Sequence, residues 1–181
     1  MSIPTLDEAQ ERELFRLWNY YLAEARRCEK AEAYLAGCTM VAAALEAMLM
    51  LMVNAHSDVV EKMKECPKYI GGIKPLIDWN LGQLLAVAKA AHWLPSTLNP
   101  QTDEWSDGKA RIGDYAEISR LVRNLIHAGN YVKNHPRKRV TARYLAAQFE
   151  ILDACAGWLE EHNAQRLLEA MRAEGIEVES E

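Results

Sequence analysis

Apolar positions recur every three or four residues through most of the chain, which is the spacing of one face of an α-helix. These patterns predict helices over residues 7–27, 29–56, 80–93, 112–128 and from 141 onward, the last continuing or bending near His162. Only 9 Gly and 6 Pro interrupt the 181 residues, which is too few turn residues for a β-sandwich or barrel. We therefore predict an all-α, up-down bundle of five to six helices that forms a single domain over residues 1–181.

Turn and capping residues mark several of the expected helix ends. The segment CPKYIGGIKP after the second helix contains two Pro and two Gly, which stop any helix. Gly129 fits the end of the fourth helix, Thr141 can cap the fifth, and residues 175–181 form a frayed acidic tail. The segment RRCEKAE carries no helix breaker, so the first two helices are either separate or one kinked helix.

The second predicted helix is nearly free of charge. Between residues 33 and 53 the one charged residue is Glu46, and the segment is about long enough to span a bilayer. A charge past the middle of such a span is costly in lipid, so we interpret the segment as a central core helix, with a membrane span as the alternative. A lone carboxylate in this setting requires a partner, and Arg120 and Arg123 are the simplest ones.

Composition excludes several classes of protein. Half of the residues are hydrophobic and 26% are charged, as in globular proteins. The four cysteines form no CxxC pair and stand beside no histidine cluster, so neither a metal site nor a redox motif is expected. The N-terminus lacks the basic and apolar regions of a secretory signal, which favours a cytoplasmic protein with reduced thiols. No cofactor is expected. His56, His92 and His162 are isolated and are expected at helix caps or on the surface.

Positive charge is concentrated in one part of this acidic chain. The net charge is −5, but residues 111–143 contain eight basic and two acidic residues, which makes this segment +6 and the remainder −11. Such an asymmetry suggests an anionic partner, and phosphate suits the arginine fork. The alternative is a basic loop that pairs with the acidic tail of the same or another subunit.

The fourth helix carries a polar stripe within this basic segment. If the helix continues to residue 128, its last two turns place two guanidinium groups, an amide and an imidazole on one face. These residues are Arg120, Arg123, Asn124 and His127. A solvated surface face is the alternative interpretation.

The segment RLVRNLIHAGNYVKNHP, which begins at Arg120, resembles the signature region of the HEPN superfamily, a group of small helical domains. Its members share an Arg-x4–6-His motif, in which Asn, Asp or His often follows the arginine. Arg120 has the spacing to His127, whereas Arg123 has the following Asn124, so either is a candidate for the motif arginine. The long apolar helix with Glu46 also resembles the buried second helix of the family.

The resemblance implies an RNA-directed module, in one form a metal-independent endoribonuclease of the toxin or phage-defence kind. In that chemistry a ribose 2′-OH attacks the adjacent phosphate. His127 would act as general base or acid, and Arg120 or Arg123 would stabilise phosphate charge. Asn124 would orient the histidine or donate to phosphate, while Glu46 would orient the motif arginine.

Further expectations concern partners. Tyr131 would stack on a base, and basic side chains would hold the RNA backbone. Those basic residues are Lys133, Arg137, Lys138 and Arg139. The family also implies a homodimer through the motif helix and allows an antitoxin-like protein partner. A non-catalytic module that binds nucleotide, nucleic acid or protein, and a purely structural helical dimer, are the alternatives.

Overall fold

The computed structural model describes residues 3, 5–98, 103–104, 106, 108–134 and 140–173. Within these residues the chain forms seven α-helices and one two-stranded antiparallel hairpin. The helices are α1 (Glu8–Lys30), α2 (Tyr34–Ala55), α3 (Ser57–Val60), α4 (Leu81–Ala90), α5 (Ile112–Arg123), α6 (Ala128–Asn134) and α7 (Ala142–Ala173). The predicted all-α bundle is confirmed. The helix number exceeds the expected five to six because two short helices, α3 and α6, were not foreseen.

Helix α2 is the centre of the bundle and packs against α1, α4, α5 and α7. Twelve of its 22 residues are buried, on all sides of the helix. In the described part of the chain it is the one helix long and apolar enough to cross a membrane, and 67% of its most apolar 18-residue stretch is buried. This burial is that of a core helix surrounded by amphipathic partners, as the sequence predicted.

Helices α1 and α2 are separate, which resolves the alternative left open by the sequence. A capping box begins α1: the Asp7 carboxylate accepts from the Gln10 N–H at 2.8 Å, and the Gln10 side chain accepts from the Asp7 N–H at 3.0 Å. The break between the helices lies at Glu32, which adopts a left-handed conformation with φ 56°. The turn lets α1 pack along α2.

The predicted connector contains a small hairpin. Strand β1 (Lys68–Tyr69) pairs with β2 (Gly72–Ile73), and a 3₁₀ turn at Leu76–Asp78 follows. Gly71 has φ 111°, a conformation that side chains with a Cβ rarely adopt, so the turn requires glycine there. Asn80 then caps α4 in a second capping box.

Helix α7 runs without interruption past His162. Its predicted cap is present, because the Thr141 hydroxyl accepts from the Tyr144 N–H at 3.4 Å. The apolar spacing predicts an inward stripe at Leu145, Phe149, Leu152, Ala156 and Leu159, and all of these are buried except the half-buried Ala156. A Cβ on Gly37 of α2 would lie 2.7 Å from Leu145 Cδ2, so glycine permits the close crossing of these two helices. The expected acidic tail lies outside the described residues.

Candidate nucleic-acid interface

The N-terminal end of α5 is held by a buried carboxylate. Asp114 accepts hydrogen bonds from the Ser96 hydroxyl at 2.5 Å and from three backbone N–H groups, those of Thr97, Leu98 and Arg111, at 2.8 to 3.2 Å. Burial raises the pKa of this carboxyl, but the four donors outweigh burial and leave the pKa below its ordinary value. Asp114 therefore ties α5 to the turn that follows α4.

Arg120 belongs to a partly buried charge cluster. Its Nε donates to Glu117 Oε2 at 2.6 Å, and Lys89 Nζ of α4 donates to Glu117 Oε1 at 2.8 Å. Burial raises the pKa of Glu117, but the hydrogen bonds from Lys89 and Arg120 outweigh it and lower the pKa overall. One carboxylate thus serves two cations, and the cluster keeps a net positive charge.

The side chain of Arg120 lies over Gly82 of α4. A Cβ on Gly82 would come within 3.3 Å of Arg120 Cδ, so the arginine stem rests where a larger residue would crowd it. Among the described residues, the two terminal nitrogens of the guanidinium have no hydrogen-bond partner. These terminal nitrogens are the ones that form a fork on a phosphate.

Arg123 has a different partner. Its Nη1 lies 2.7 Å from Glu46 Oε2 of α2. The sequence predicted an ion pair between Glu46 and either Arg120 or Arg123, and the structure resolves the choice in favour of Arg123. This pair joins the central helix to α5 across the bundle.

The predicted continuous helix to residue 128 is wrong. Helix α5 ends at Arg123, Asn124–Ile126 forms a 3₁₀ turn, and His127 is extended with φ −83° and ψ 117°. The tighter turn follows from the His127 N–H, which donates to the Asn124 carbonyl three residues back at 3.1 Å. Arg120 and Asn124 stay one turn apart, whereas His127 is exposed and lies beyond the 3₁₀ turn.

Gly129 does not end the fourth helix as predicted, because it lies inside the new helix α6. Tyr131 and Lys133 also lie on α6 rather than in a loop, with Tyr131 half-buried and Lys133 exposed. The predicted backbone-binding residues Arg137, Lys138 and Arg139 lie outside the described residues.

Arg120 and Asn124 line the same pocket, which has a volume of about 490 Å³. Asn130 of α6 and Tyr144 of α7 supply further polar groups to its wall. The rest of the lining is aliphatic and comes from Ile118, Leu121, Val122 and Leu125. Arg123 and His127 are not among the lining residues, so the pocket collects two of the four predicted stripe residues.

Large apolar side chains are exposed around this pocket. Leu121 on α5, Ile126 in the 3₁₀ turn and Val132 on α6 are 50%, 53% and 83% exposed. We call the surface of α5, the 3₁₀ turn and α6 the α5–α6 face. It combines exposed apolar side chains with the cationic cluster of Arg120.

Several of these residues were not singled out from the sequence. Lys89, Asn130 and Tyr144 come from three different helices, and no local pattern connects them. Glu117 stands three residues before Arg120, a spacing that suits a helical ion pair, and this was the signal that could have found it.

His56 lies at the C-cap of α2, which is one of the two expected positions, and it is 5% exposed and belongs to a second polar cluster. Its Nε2 lies 2.6 Å from Asn163 Oδ1, and its Nδ1 contacts Arg166 Nη1. Arg166 also pairs with Asp58 at 2.8 Å. Because a guanidinium only donates, Nδ1 accepts, and the proton of a neutral ring is on Nε2. The described residues contain no group of His, Cys, Asp and Glu suited to a metal.

Comparisons of the chain with protein-family models, with curated proteins and with solved structures give no significant match.

Proposed function

We propose that the chain is a cytoplasmic, HEPN-like module that binds single-stranded RNA through the α5–α6 face. The observation that carries this proposal is the charge cluster at the pocket, where Glu117 neutralises only one of its two cations. Arg120 therefore brings positive charge to an aliphatic surface, and within the described residues its two terminal nitrogens have no hydrogen-bond partner. Phosphate and an unstacked base are the two chemical groups that such a surface fits.

The surrounding charge supports the same partner. Residues 111–143 carry +6, and one of the two acidic residues, Asp114, is enclosed by its hydrogen-bond donors. Lys133 extends the positive surface along α6. A chain that is acidic elsewhere would repel RNA from its other faces and direct it to this one.

The roles of the two arginines differ in this proposal. Arg120 binds phosphate, and Asn124 on the same pocket wall donates to the RNA. Arg123 is a positioning residue, because its ion pair with Glu46 fixes the last turn of α5. The exposed apolar side chains of the α5–α6 face provide a surface for a second copy or for an antitoxin-like partner.

The binding test uses a short fluorescent single-stranded RNA and the anisotropy change at several salt concentrations. Arg120→Gln should lower affinity about fivefold or more and reduce the salt slope by about 1. The fold should persist because Lys89 still pairs with Glu117. Arg16→Gln is the matched control, since Arg16 also pairs with a glutamate three residues away but lies on α1. Equal effects of both variants would contradict the proposal.

A second test separates the charge of the cluster from direct contact. In Lys89→Gln, Glu117 pairs with Arg120 alone, so the cluster loses its net positive charge. Lys89 is not among the residues that line the pocket, so no lining side chain is changed. RNA affinity should fall in this variant and be retained in Lys89→Arg. Unchanged affinity in Lys89→Gln would show that the shared carboxylate has no influence on binding.

RNA cleavage is the second candidate function. It is favoured by the exposed imidazole of His127, three residues after Asn124. The assay follows labelled total RNA in EDTA with native protein and His127→Ala. Cleavage by the native protein that is lost in a well-folded His127→Ala variant would establish a metal-independent ribonuclease. RNA that stays intact with a well-folded native protein would contradict cleavage and leave RNA binding as the proposed function.

A further inference from the structure

We propose that the groove between α1, α2 and α7 docks a basic amphipathic helix of a partner protein. Its lining comes from Phe15 and Trp18 of α1, from positions 48, 51, 52 and 55 of α2, and from positions 156, 159, 160 and 163 of α7. We call this surface the α1–α7 groove. Among the described lining residues it shares none with the pocket of Arg120, so helix docking and RNA binding are independent.

The α1–α7 groove has the length of two helical turns. The lining positions on α2 and on α7 both follow the spacing i, i+3, i+4 and i+7, so each row lies along one face of its helix over about 10 Å. The volume between the rows is about 300 Å³. A groove of this form receives the i, i+3 or i+4, and i+7 side chains of a docked helix. The shape therefore favours a short helix over a flat partner surface.

The surface of the α1–α7 groove is largely apolar and adaptable. Phe15 is 55% exposed, and its ring meets that of Trp18 edge-on with centroids 5.6 Å apart. Met48 and Met52 of α2 have unbranched side chains that can adjust to an irregular partner. Leu167 continues the row on α7 by one turn and is 63% exposed. Exposed apolar side chains beside such a groove mark a surface for a protein partner.

The charge around the α1–α7 groove is acidic. The three segments that form it, residues 7–18, 48–55 and 156–167, contain six acidic and three basic residues. The basic side chains are paired within the chain, as Arg12–Glu8, Arg16–Glu13 and Arg166–Asp58. Glu160 is the one charged residue among the described lining residues, and in the described part of the chain no hydrogen bond or ion pair involves it. A lysine or arginine of the docked helix would pair with this carboxylate, whereas an acidic helix would be repelled.

A second copy of this chain is the other candidate occupant, since its α5–α6 face is also basic and partly apolar. That contact would join two different surfaces, and such contacts continue into open chains of molecules unless the rotation closes a ring. A separate partner avoids this growth and leaves the α5–α6 face free for RNA. The groove is therefore assigned to a helix of another protein.

A fluorescent model peptide tests the groove directly. It is about 15 residues long, with leucine at i, i+3, i+4 and i+7 and lysine on both sides of that row. A second peptide carries glutamate in place of lysine, and a third has the composition of the first in scrambled order. Anisotropy titrations of the native protein should show at least tenfold tighter binding of the lysine peptide than of the other two. Equal affinity for the glutamate peptide would overturn the basic partner, and no binding of the lysine peptide would overturn the groove as a helix site.

Substitutions locate the peptide on the protein. Phe15→Ala should weaken binding of the lysine peptide at least fivefold, and Tyr20→Ala is the matched control, because Tyr20 is an exposed aromatic residue of α1 that does not line the groove. Glu160→Gln should weaken binding about two- to fivefold and reduce its salt dependence, with Glu150→Gln at an exposed position of α7 as its control. Glu160→Lys should shift the preference toward the glutamate peptide, which a folding defect would not produce. Equal losses in the groove variants and their controls would contradict the assignment.

Sedimentation velocity of the protein without peptide distinguishes a second copy from another protein. Self-association that Phe15→Ala abolishes would assign the groove to a second copy and overturn the proposal, whereas an oligomeric state that this variant leaves unchanged supports it. RNA affinity should also be unchanged in Phe15→Ala. Failure of helix docking would therefore leave the proposed RNA function in place, and failure of RNA binding would leave helix docking in place.

Discussion

Gly113, at the start of α5, offers a sharp test of how the motif helix is placed. A Cβ at this position would lie 2.7 Å from the Leu94 carbonyl oxygen and 2.9 Å from that of Pro95. Both atoms belong to the backbone, so neither can move aside as the end of a flexible side chain would. The Gly113 N–H donates to the same Pro95 oxygen at 2.8 Å. Gly113→Ala must therefore push α5 away from the turn that follows α4.

The expected loss of stability can be estimated from three contributions. Overpacking against a rigid neighbour costs about 1–3 kcal/mol. Weakening the hydrogen bond from Gly113 to Pro95 costs about 1 kcal/mol more. The greater helix propensity of alanine returns about 1 kcal/mol. The net loss is about 2 kcal/mol, which lowers the melting temperature by roughly 4–8 °C for a chain of this size.

Gly157→Ala is the matched control. Gly157 lies within α7, and a Cβ there would meet no atom within 4 Å. The same substitution should stabilise the protein by about 0.5–1 kcal/mol because only the backbone effect remains. Thermal and urea unfolding followed by circular dichroism would measure both variants. Equal stability of Gly113→Ala and the native protein, or a loss of the same size in Gly157→Ala, would refute the argument.

Three further predictions concern buried polar groups. Asp114→Ala should lower the free energy of urea unfolding by about 2–4 kcal/mol, because four donors lose their acceptor. Glu46→Gln should cost about 1–2 kcal/mol by leaving the charge of Arg123 unpaired, and a double-mutant cycle with Arg123→Gln should show positive coupling. Burial first, and the Arg166 guanidinium in addition, hold the pKa of His56 below its ordinary value. The contribution of His56 to the free energy of unfolding should therefore be fully present above about pH 6.5. It should be lost as the pH falls toward the pKa of His56 in the folded state, because in that range only the unfolded chain binds the proton. Urea midpoints between about pH 5 and 8 should show this decline, and His56→Gln should flatten it.

The core could be predicted from the sequence because the signals that indicate it, apolar spacing and a lone charge, are local in the chain. A long uncharged segment with one carboxylate is typical of a central helix, and the need to pair Glu46 pointed to two arginines, one of which is its partner. Apolar spacing likewise placed the buried stripe of α7 and its cap at Thr141. In each case the periodicity and a single chemical requirement were sufficient, without knowledge of the neighbouring helices.

The candidate site was harder to predict because tertiary contacts decide it. No proline or glycine stands between Asn124 and His127, so the sequence pattern still predicts helix beyond Arg123, where α5 ends. Helix α5 gives way to a 3₁₀ turn before His127, and this change goes with a backbone hydrogen bond from His127 to Asn124 rather than with a breaker residue. Tyr144 reaches the pocket from the first turn of α7, which no spacing rule indicates.

Arg120 and Arg123 show why residue type and spacing do not assign roles. They stand on the same end of α5, and both contact a carboxylate of the same chain. Among the described residues, Glu46 pairs with Arg123 and with no second cation, so the two charges are matched within the fold. Glu117 is shared by Arg120, which lines the pocket, and Lys89, so this cluster of three residues keeps one net positive charge. The carboxylate beside Arg123 therefore indicates a structural role for that arginine. The carboxylate beside Arg120 does not, because it is shared with a second cation and positive charge is left for a ligand.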